Sequence, residues 1–294
     1  MPLNINTNAA ASSASYHLSK NNAALQKSLT RLSSGSRITQ PADDAGGLAV
    51  SMKLSGTINR LSGVEKNIDN AISFLQVQDG VLESSGKILD RMAELKALSQ
   101  DVLKNDSDIA NYNAEFKNLQ VQLYQMSETT FNGVSLFATT NSSGSVTFNT
   151  AGSGNTVSIF TSATGEGGSI VSINKTALLA ALTIDATSGN VAVKKTFQDA
   201  ATSGTDQIRS FGSATVGDAF ELGDVSVAVF TQALQNVATL RAENGGSVSR
   251  LQFSKESAAA QKTNLEAANG RIMDVDIASE STRLAKYNIL VQAS

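Results

Sequence analysis

The sequence predicts a mainly α-helical protein. Long antiparallel, coiled-coil-like helices come from both chain ends in a U, and a β-rich insertion lies between them. Three observations predict this. Apolar residues from Leu54 to Val102 recur by three, four or seven along a narrow seam, the pattern of a coiled-coil helix. A second seam of the same kind runs from Leu234 to Val291. Between them, residues 138–224 turn rich in Ser, Thr, Gly and Asn with short alternating runs, which suits hairpins.

The first helix carries Ala11, Ala14, Leu18, Leu25, Leu29 and Leu32 at helical steps. The stretch LTRLSSGSRITQPADDAGGLAVS follows, with Pro41, one of only two prolines. Ser33 to Thr39 loosen the chain here. Thr39 or Gln40 is the expected cap of the next helix, Pro41 suits its first turn, and Asp43 and Asp44 favour its positive end. The seam then passes through Leu54, Ile58, Leu61, Ile68, Ile72, Leu75, Leu82, Leu89, Met92, Leu95 and Val102, a helix of roughly 75–90 Å. Asn105-Asp106-Ser107-Asp108 breaks it and supplies a new N-cap. A second helix places Tyr112, Phe116, Leu119, Leu123 and Met126 on one face and ends at Thr129-Thr130-Phe131-Asn132-Gly133, where Asn-Gly suits a tight turn.

In the middle, Val146–Phe148, Val157–Phe160 and Ile170–Ile173 read as strands separated by AGSGN and TGEGG, and Thr176–Leu182 as a short helix. The last zone repeats the first. Leu234, Val237, Leu240, Val248, Leu251, Ala258, Leu265 and Ile272 form a seam that Ile277, Leu284, Tyr287 and Val291 extend. Gly245-Gly246 weakens it by about 1 kcal/mol per glycine.

Composition narrows the function. Aromatics are 5% and Trp is absent, so the core is expected to rely on Leu, Ile, Val and Ala. A net charge of -3 gives no basic surplus for nucleic acid or an anionic membrane. Cysteine is absent, which removes disulfides and thiolate metal sites. No run is long and apolar enough for a membrane span, and the N-terminus lacks the pattern of a Sec-type signal. His17 is the single histidine. A catalytic triad would have to pass through it, and a helix-surface position is the expected role. The middle region holds no His-Glu-x-x-His zinc motif. Asp43-Asp44 and the Asp274/Asp276 pair could bind a divalent ion, but an ordinary structural role is expected, for Asp43-Asp44 that of first-turn acids at a helix start. The glycines of TGEGG and AGSGN lack the Lys-Ser/Thr of a phosphate loop. No catalytic, cofactor or metal site is expected. The terminal helices are too thinly apolar to stand as a lone pair, so self-assembly is expected.

Several motifs carry a family resemblance. Leu32-Ser33-Ser34-Gly35-Ser36-Arg37-Ile38 and Asp43-Asp44-Ala45-Gly46-Gly47-Leu48-Ala49-Val50-Ser51 resemble the bacterial flagellin signature, as do Ile5-Asn6-Thr7-Asn8 and Thr130-Phe131-Asn132-Gly133-Val134. Ala268-Asn269-Gly270-Arg271-Ile272, Asp274-Val275-Asp276 and Ala278-Ser279-Glu280 resemble its C-terminal signature. The resemblance covers about residues 1–137 and 228–294 and leaves out the middle.

It implies a flagellar filament subunit. Residues 1–40 and 273–294 would form inner-tube helices with their connector, packed through Leu18, Leu25, Leu29, Leu32, Ile277, Leu284, Tyr287 and Val291. Residues 41–137 and 225–272 would form the rod domain, and 138–224 a variable β-rich outer region. The implied partners are further copies of the chain, an export chaperone, the flagellar type III apparatus that exports it without a cleaved signal, and the cap and hook-junction proteins. The implied location is outside the cell. A hook–filament junction protein of the same superfamily is the alternative. The family usually continues through more helix to a leucine-rich end, which is expected to be lacking after Val291-Gln292-Ala293-Ser294. Arg91-Met92-Ala93-Glu94-Leu95, together with Glu115, resembles the patch that the flagellin-sensing Toll-like receptor reads. Arg91 and Leu95, four apart, are expected on one helix face. In the connector, Arg37 is expected to approach Asp274 and Asp276, with Pro41, Asp43 and Asp44 shaping the turn.

Overall fold

The computed structural model describes residues 8–138, 156–185, 192–193 and 208–293. The helices are α1 (Ala9–Ser34), α2 (Ala45–Ser99), α3 (Asp106–Ser127), the single turn α4 (Leu178–Ala181), α5 (Val227–Met273) and α6 (Ile277–Ala293). The chain divides into two compact units, one of Met1–Gly63 with Ala258–Ser294 and one of Val64–Ser257. Both α2 and α5 contribute residues to each.

In the first unit, α1 begins at Asn8, whose side chain accepts from the backbone N–H of Ala10 and Ala11. This satisfies donors that a helix start leaves open. It ends at Gly35, whose φ of 69° places it in the left-handed region where glycine carries no Cβ penalty. Helix α6 packs along α1. Near the far end of α5, the Ser51 hydroxyl lies 2.7 Å from Asn269 Oδ1.

The connector corrects the expected helix start. Pro41 does not lie in the first turn of α2. The Asp43 N–H donates to Gln40 O at 2.9 Å, closing a β-turn with Pro41 at its second position, where its fixed φ is already suitable. Helix α2 begins after Asp44, whose carboxylate accepts from Gly47 N at 2.8 Å. Asp44 is therefore the cap, in place of Thr39 or Gln40. A short carboxylate reaches the third amide of the helix better than the blocked backbone around a proline.

In the second unit, α2 and α5 run antiparallel. Lys255 pairs with Asp69 at 2.6 Å, Asn244 with Leu75 and Arg241 with Asp79, so numbers rise on one helix as they fall on the other. The heptad seam is real but ends early. Helix α2 stops at Ser99, and Val102 lies in the following loop, facing water. Asn105 caps α3 as expected, in a reciprocal capping box with Asp108.

The buried face of α3 differs from the expected apolar set. Phe116 and Leu123 are buried, but Gln120 and Ser127 join them, while Leu119 and Met126 are only half-buried. Gln120 meets Phe220 with both amide atoms, each at 2.9 Å. The core is also more aromatic than composition suggests. Phe116, Phe211, Phe220 and Phe230 form a chain of edge and stacked contacts with centroids 5.2–6.2 Å apart. Few aromatics are present, but they converge, and each buries more area than a Leu.

Asn132 and Gly133 have φ of 50° and 77°. They join β1 (Thr130–Phe131) to β2 (Val134–Ser135) with Phe131 opposite Val134, the tight hairpin that Asn-Gly favours. Strands β3 (Thr156–Phe160) and β4 (Ile170–Asn174) pair antiparallel from Thr156↔Asn174 to Phe160↔Ile170, around the TGEGG link. The expected strand Val146–Phe148 and the AGSGN link lie outside the described residues. Strands β5 (Thr183–Asp185), β6 (Ala192–Val193) and β7 (Ile208–Ser210) form a sheet in the order β6-β5-β7.

Candidate assembly interface

Of the expected connector residues, Arg37, Asp43, Asp44, Asp274 and Asp276 come together in the first unit. Ser36 and Asp274 form an isolated antiparallel bridge. Arg37 N donates to Met273 O at 2.6 Å and Val275 N to Gly35 O at 3.0 Å. The two stretches thus meet through their backbones. Among the described residues, the Arg37 side chain makes no ion pair with Asp274 or Asp276, so the approach is one of backbones. Asp276 instead caps α6, its Oδ1 accepting from Ala278 and Ser279 N at 3.0 and 3.2 Å. Arg37, Val275 and Asp276 line a cleft of about 310 Å³ together with Arg31, Asp43, Asp44 and Arg283.

Asp43 has the strongest local environment. One carboxylate oxygen lies 2.5 Å from Lys27 Nζ. The other accepts from Thr39 N at 3.2 Å and Thr39 Oγ1 at 3.1 Å, with Arg31 at 3.9 Å. The Lys27 ammonium, then the Thr39 amide, hold its carboxyl well below the usual aspartate range, since each stabilises the charged form. Lys27 and Arg31 on α1 thereby tie that helix to the connector.

The α1–α6 contact is not the leucine stripe that periodicity suggests. Leu25, Leu32, Leu284, Tyr287 and Val291 are half-buried, but Leu18, Leu29 and Ile277 remain exposed. The most buried side chains are Ser28 and Glu280, joined by a 2.7 Å hydrogen bond from Ser28 Oγ to Glu280 Oε1. Arg283 lies 3.4 Å from the second carboxylate oxygen. Both polar residues were detectable. Ser28 sits three past Leu25, and Glu280 fills the step between Ile277 and Leu284. A search for apolar residues alone passes over them.

In the second unit, Arg91 forks onto Glu115, with Nε to Oε1 at 2.8 Å and Nη2 to Oε2 at 3.2 Å, and also bonds Glu94 at 2.8 Å. Glu115, then Glu94, raise its already high pKa. Both Arg91 and Glu115 present side-chain surface. Leu95 does not, being 0% exposed. It leaves the expected surface patch and joins the core, because it continues the buried α2 seam of Leu89 and Met92. Sequence reading also missed the buried amides. Gln78 and Asn244 occupy seam positions of α2 and α5 and donate to Leu136 O and Leu75 O at 2.6 and 2.8 Å.

Among the described residues, no three His, Cys, Asp or Glu side chains gather as metal ligands, and no helix is long and apolar enough to cross a membrane.

Comparison with known proteins accounts for this arrangement. Residues 5–142 match the model of the bacterial flagellin N-terminal helical region, and residues 227–294 that of the C-terminal helical region. The chain is 32% identical over 297 residues to the flagellin of Bacillus subtilis (strain 168), covering 99% of this chain and 94% of that protein. It is 28% identical to a flagellin of Listeria monocytogenes, over 99% and 93% of the two chains. It is 29% identical to the flagellar filament 30.7 kDa core protein of Treponema maltophilum, again over 99% and 93%. Two helical ends that match in order, with an alignment running through the middle, show that the chain belongs to the bacterial flagellin family.

Proposed function

We infer that the chain is a structural subunit that polymerises into a bacterial flagellar filament for swimming. It is exported through the flagellar type III apparatus, acts outside the cell and has no catalytic role. The observation that carries this reading, beside family membership, is the α1–α6 pair. Its most buried side chains are a serine and a glutamate, while Tyr16, Leu29, Ile277 and Ile289 face water. A lone helix pair that leaves so much of its stripe uncovered gains little stability from packing. Further copies of the chain would cover it. On this reading residues 1–40 and 273–294 build the inner tube and connector, 41–137 and 225–272 the rod, and 138–224 the outer region. An export chaperone, a cap and hook-junction proteins are its partners.

The test is seeded growth. Purified chain added to sheared filaments should lengthen them, as seen by electron microscopy. Seeds that do not grow would refute the reading. Cells lacking the protein should lose the bulk filament. Filament material that is still made, but released from the hook, would identify the junction protein instead.

Recognition by the flagellin-sensing Toll-like receptor is a second, incidental property of the Arg91 surface. It rests on Arg91 and Glu115, since Leu95 is internal. A receptor reporter assay should show a weaker signal from Arg91→Ala than from the unaltered chain, and equal signals would remove the proposal.

A further inference from the structure

We propose that Asn132-Gly133, in the β1–β2 turn, is a self-modifying site. The Asn132 side chain loses ammonia to attack by the Gly133 amide and becomes aspartate and isoaspartate, while the fold holds the chain's other Asn-Gly pairs unreactive. The proposal does not depend on the filament reading.

The sequence holds Asn-Gly three times, at Asn132-Gly133, Asn244-Gly245 and Asn269-Gly270. Asparagine is a chemically labile residue, and most so before glycine, where no side chain shields the following amide. The glycine nitrogen attacks the asparagine Cγ and closes a five-membered imide. The N–Cγ bond forms, the Cγ–Nδ2 bond breaks, and the glycine amide proton leaves with Nδ2 as ammonia. Water then opens the ring. Opening at Cγ yields aspartate. Opening at the asparagine main-chain carbonyl yields isoaspartate, in which Cβ joins the main chain. Only water is consumed, and nothing is oxidised or reduced. The step needs a glycine nitrogen that is unpaired and wet, and an asparagine side chain that is free to turn.

Asn132-Gly133 meets both needs. The two residues are exposed. In a two-residue hairpin the ladder bonds close between the flanking residues, here Phe131 and Val134, and leave the second turn amide unpaired. Among the described residues, accordingly, neither Gly133 N nor the Asn132 side chain has a hydrogen-bond partner. A Cβ built on Gly133 would meet nothing within 4 Å, so water has open access to the nitrogen. The φ values of 50° and 77° favour Asn and Gly at these two places. The geometry of the turn therefore keeps the reactive pair where it is.

The other two pairs lie inside α5, where each backbone N–H is bonded to the carbonyl four residues back. Asn244 is 3% exposed and its Nδ2 donates to Leu75 O at 2.8 Å. Asn269 Oδ1 lies 2.7 Å from Ser51 Oγ, and its Nδ2 lies 3.5 Å from Ser55 Oγ. A Cβ on Gly270 would stand 2.7 Å from Asp274 Oδ2, and a carboxylate so close opposes loss of the Gly270 amide proton. Either pair reacts only when α5 opens locally. The isoaspartate product at 132 lengthens the turn by one main-chain atom. Turn length sets hairpin register, so Phe131 loses its place opposite Val134 and its edge contact with Phe74, where the centroids are 6.0 Å apart.

The test uses the full-length, unaltered chain. One sample is kept folded in mildly alkaline buffer and another unfolded in guanidinium. Both are sampled over days, digested and read by mass spectrometry, with an isoaspartate methyltransferase as an independent probe of the rearranged product. In the folded chain Asn132 should exchange its amide for an acid at least about tenfold faster than Asn244 or Asn269, and isoaspartate should appear at position 132. In guanidinium the three asparagines should react at similar rates. Folded chain in which Asn244 or Asn269 keeps pace with Asn132 overturns the proposal. So does an Asn132 amide that survives in the folded chain while it is lost in the unfolded one. Selectivity that persists in guanidinium overturns it as well, since the cause would then be the local sequence and not the fold.

Discussion

Removing one hydroxyl from the middle of α1 should loosen its union with α6. In Ser28→Ala the Glu280 carboxylate stays buried and loses its 2.7 Å donor. Arg283, at 3.4 Å, is its remaining charged neighbour. A hydrogen bond to a charged group contributes about 1.5–3 kcal/mol, and the methyl that replaces the hydroxyl makes no compensating bond. A loss near 2 kcal/mol raises the local opening equilibrium about thirtyfold. Native-state hydrogen exchange reads this directly, because opening of a helix pair need not unfold the rest. Amides of residues 21–32 and 281–291 should exchange about thirtyfold faster, while those of α3 keep their rates. Ser28→Thr retains the hydroxyl and should restore protection. Unchanged exchange in Ser28→Ala would refute the view that this polar pair joins the two helices.

Further outcomes follow from the same geometry. Asp43 is held below the ordinary aspartate value, so its ion pairs stabilise the fold above about pH 4 and fade as the pH falls through its depressed value. The melting-temperature gap between the unaltered chain and Asp43→Asn should be present at pH 6 and close in strong acid. Leu95→Ala should cost about 2–5 kcal/mol in urea unfolding, as for buried leucines generally, whereas Arg91→Ala should leave the midpoint nearly unchanged because that cation is exposed. Asp44→Ala should cost about 0.5–2 kcal/mol through loss of a helix cap, measured by thermal unfolding. Gly133→Ala, at a φ of 77°, should cost about 1–2 kcal/mol, and an unaltered melt would contradict the turn geometry.

What the sequence determined by itself is local. Heptad spacing is enough for α2 and α5, because a period near 3.5 leaves one viable conformation for a long apolar seam. The Asn105 cap and the Asn132-Gly133 turn are equally legible, since each depends on the side chain and backbone of the residues that form it. The tertiary structure decided where those patterns stop and which polar groups they accept. Val102 continues the α2 period yet falls past the helix end. Leu95 shares the spacing of Arg91 yet turns inward. Asp44, not Pro41, starts α2, because its carboxylate is the group that reaches the amide of Gly47. Most clearly, Gln78, Asn244, Ser28 and Glu280 stand at seam positions that periodicity alone would fill with leucine. A polar group can be buried only where a partner arrives to satisfy it. Those partners come from 58, 169 and 252 residues away along the chain, a distance that no local pattern spans.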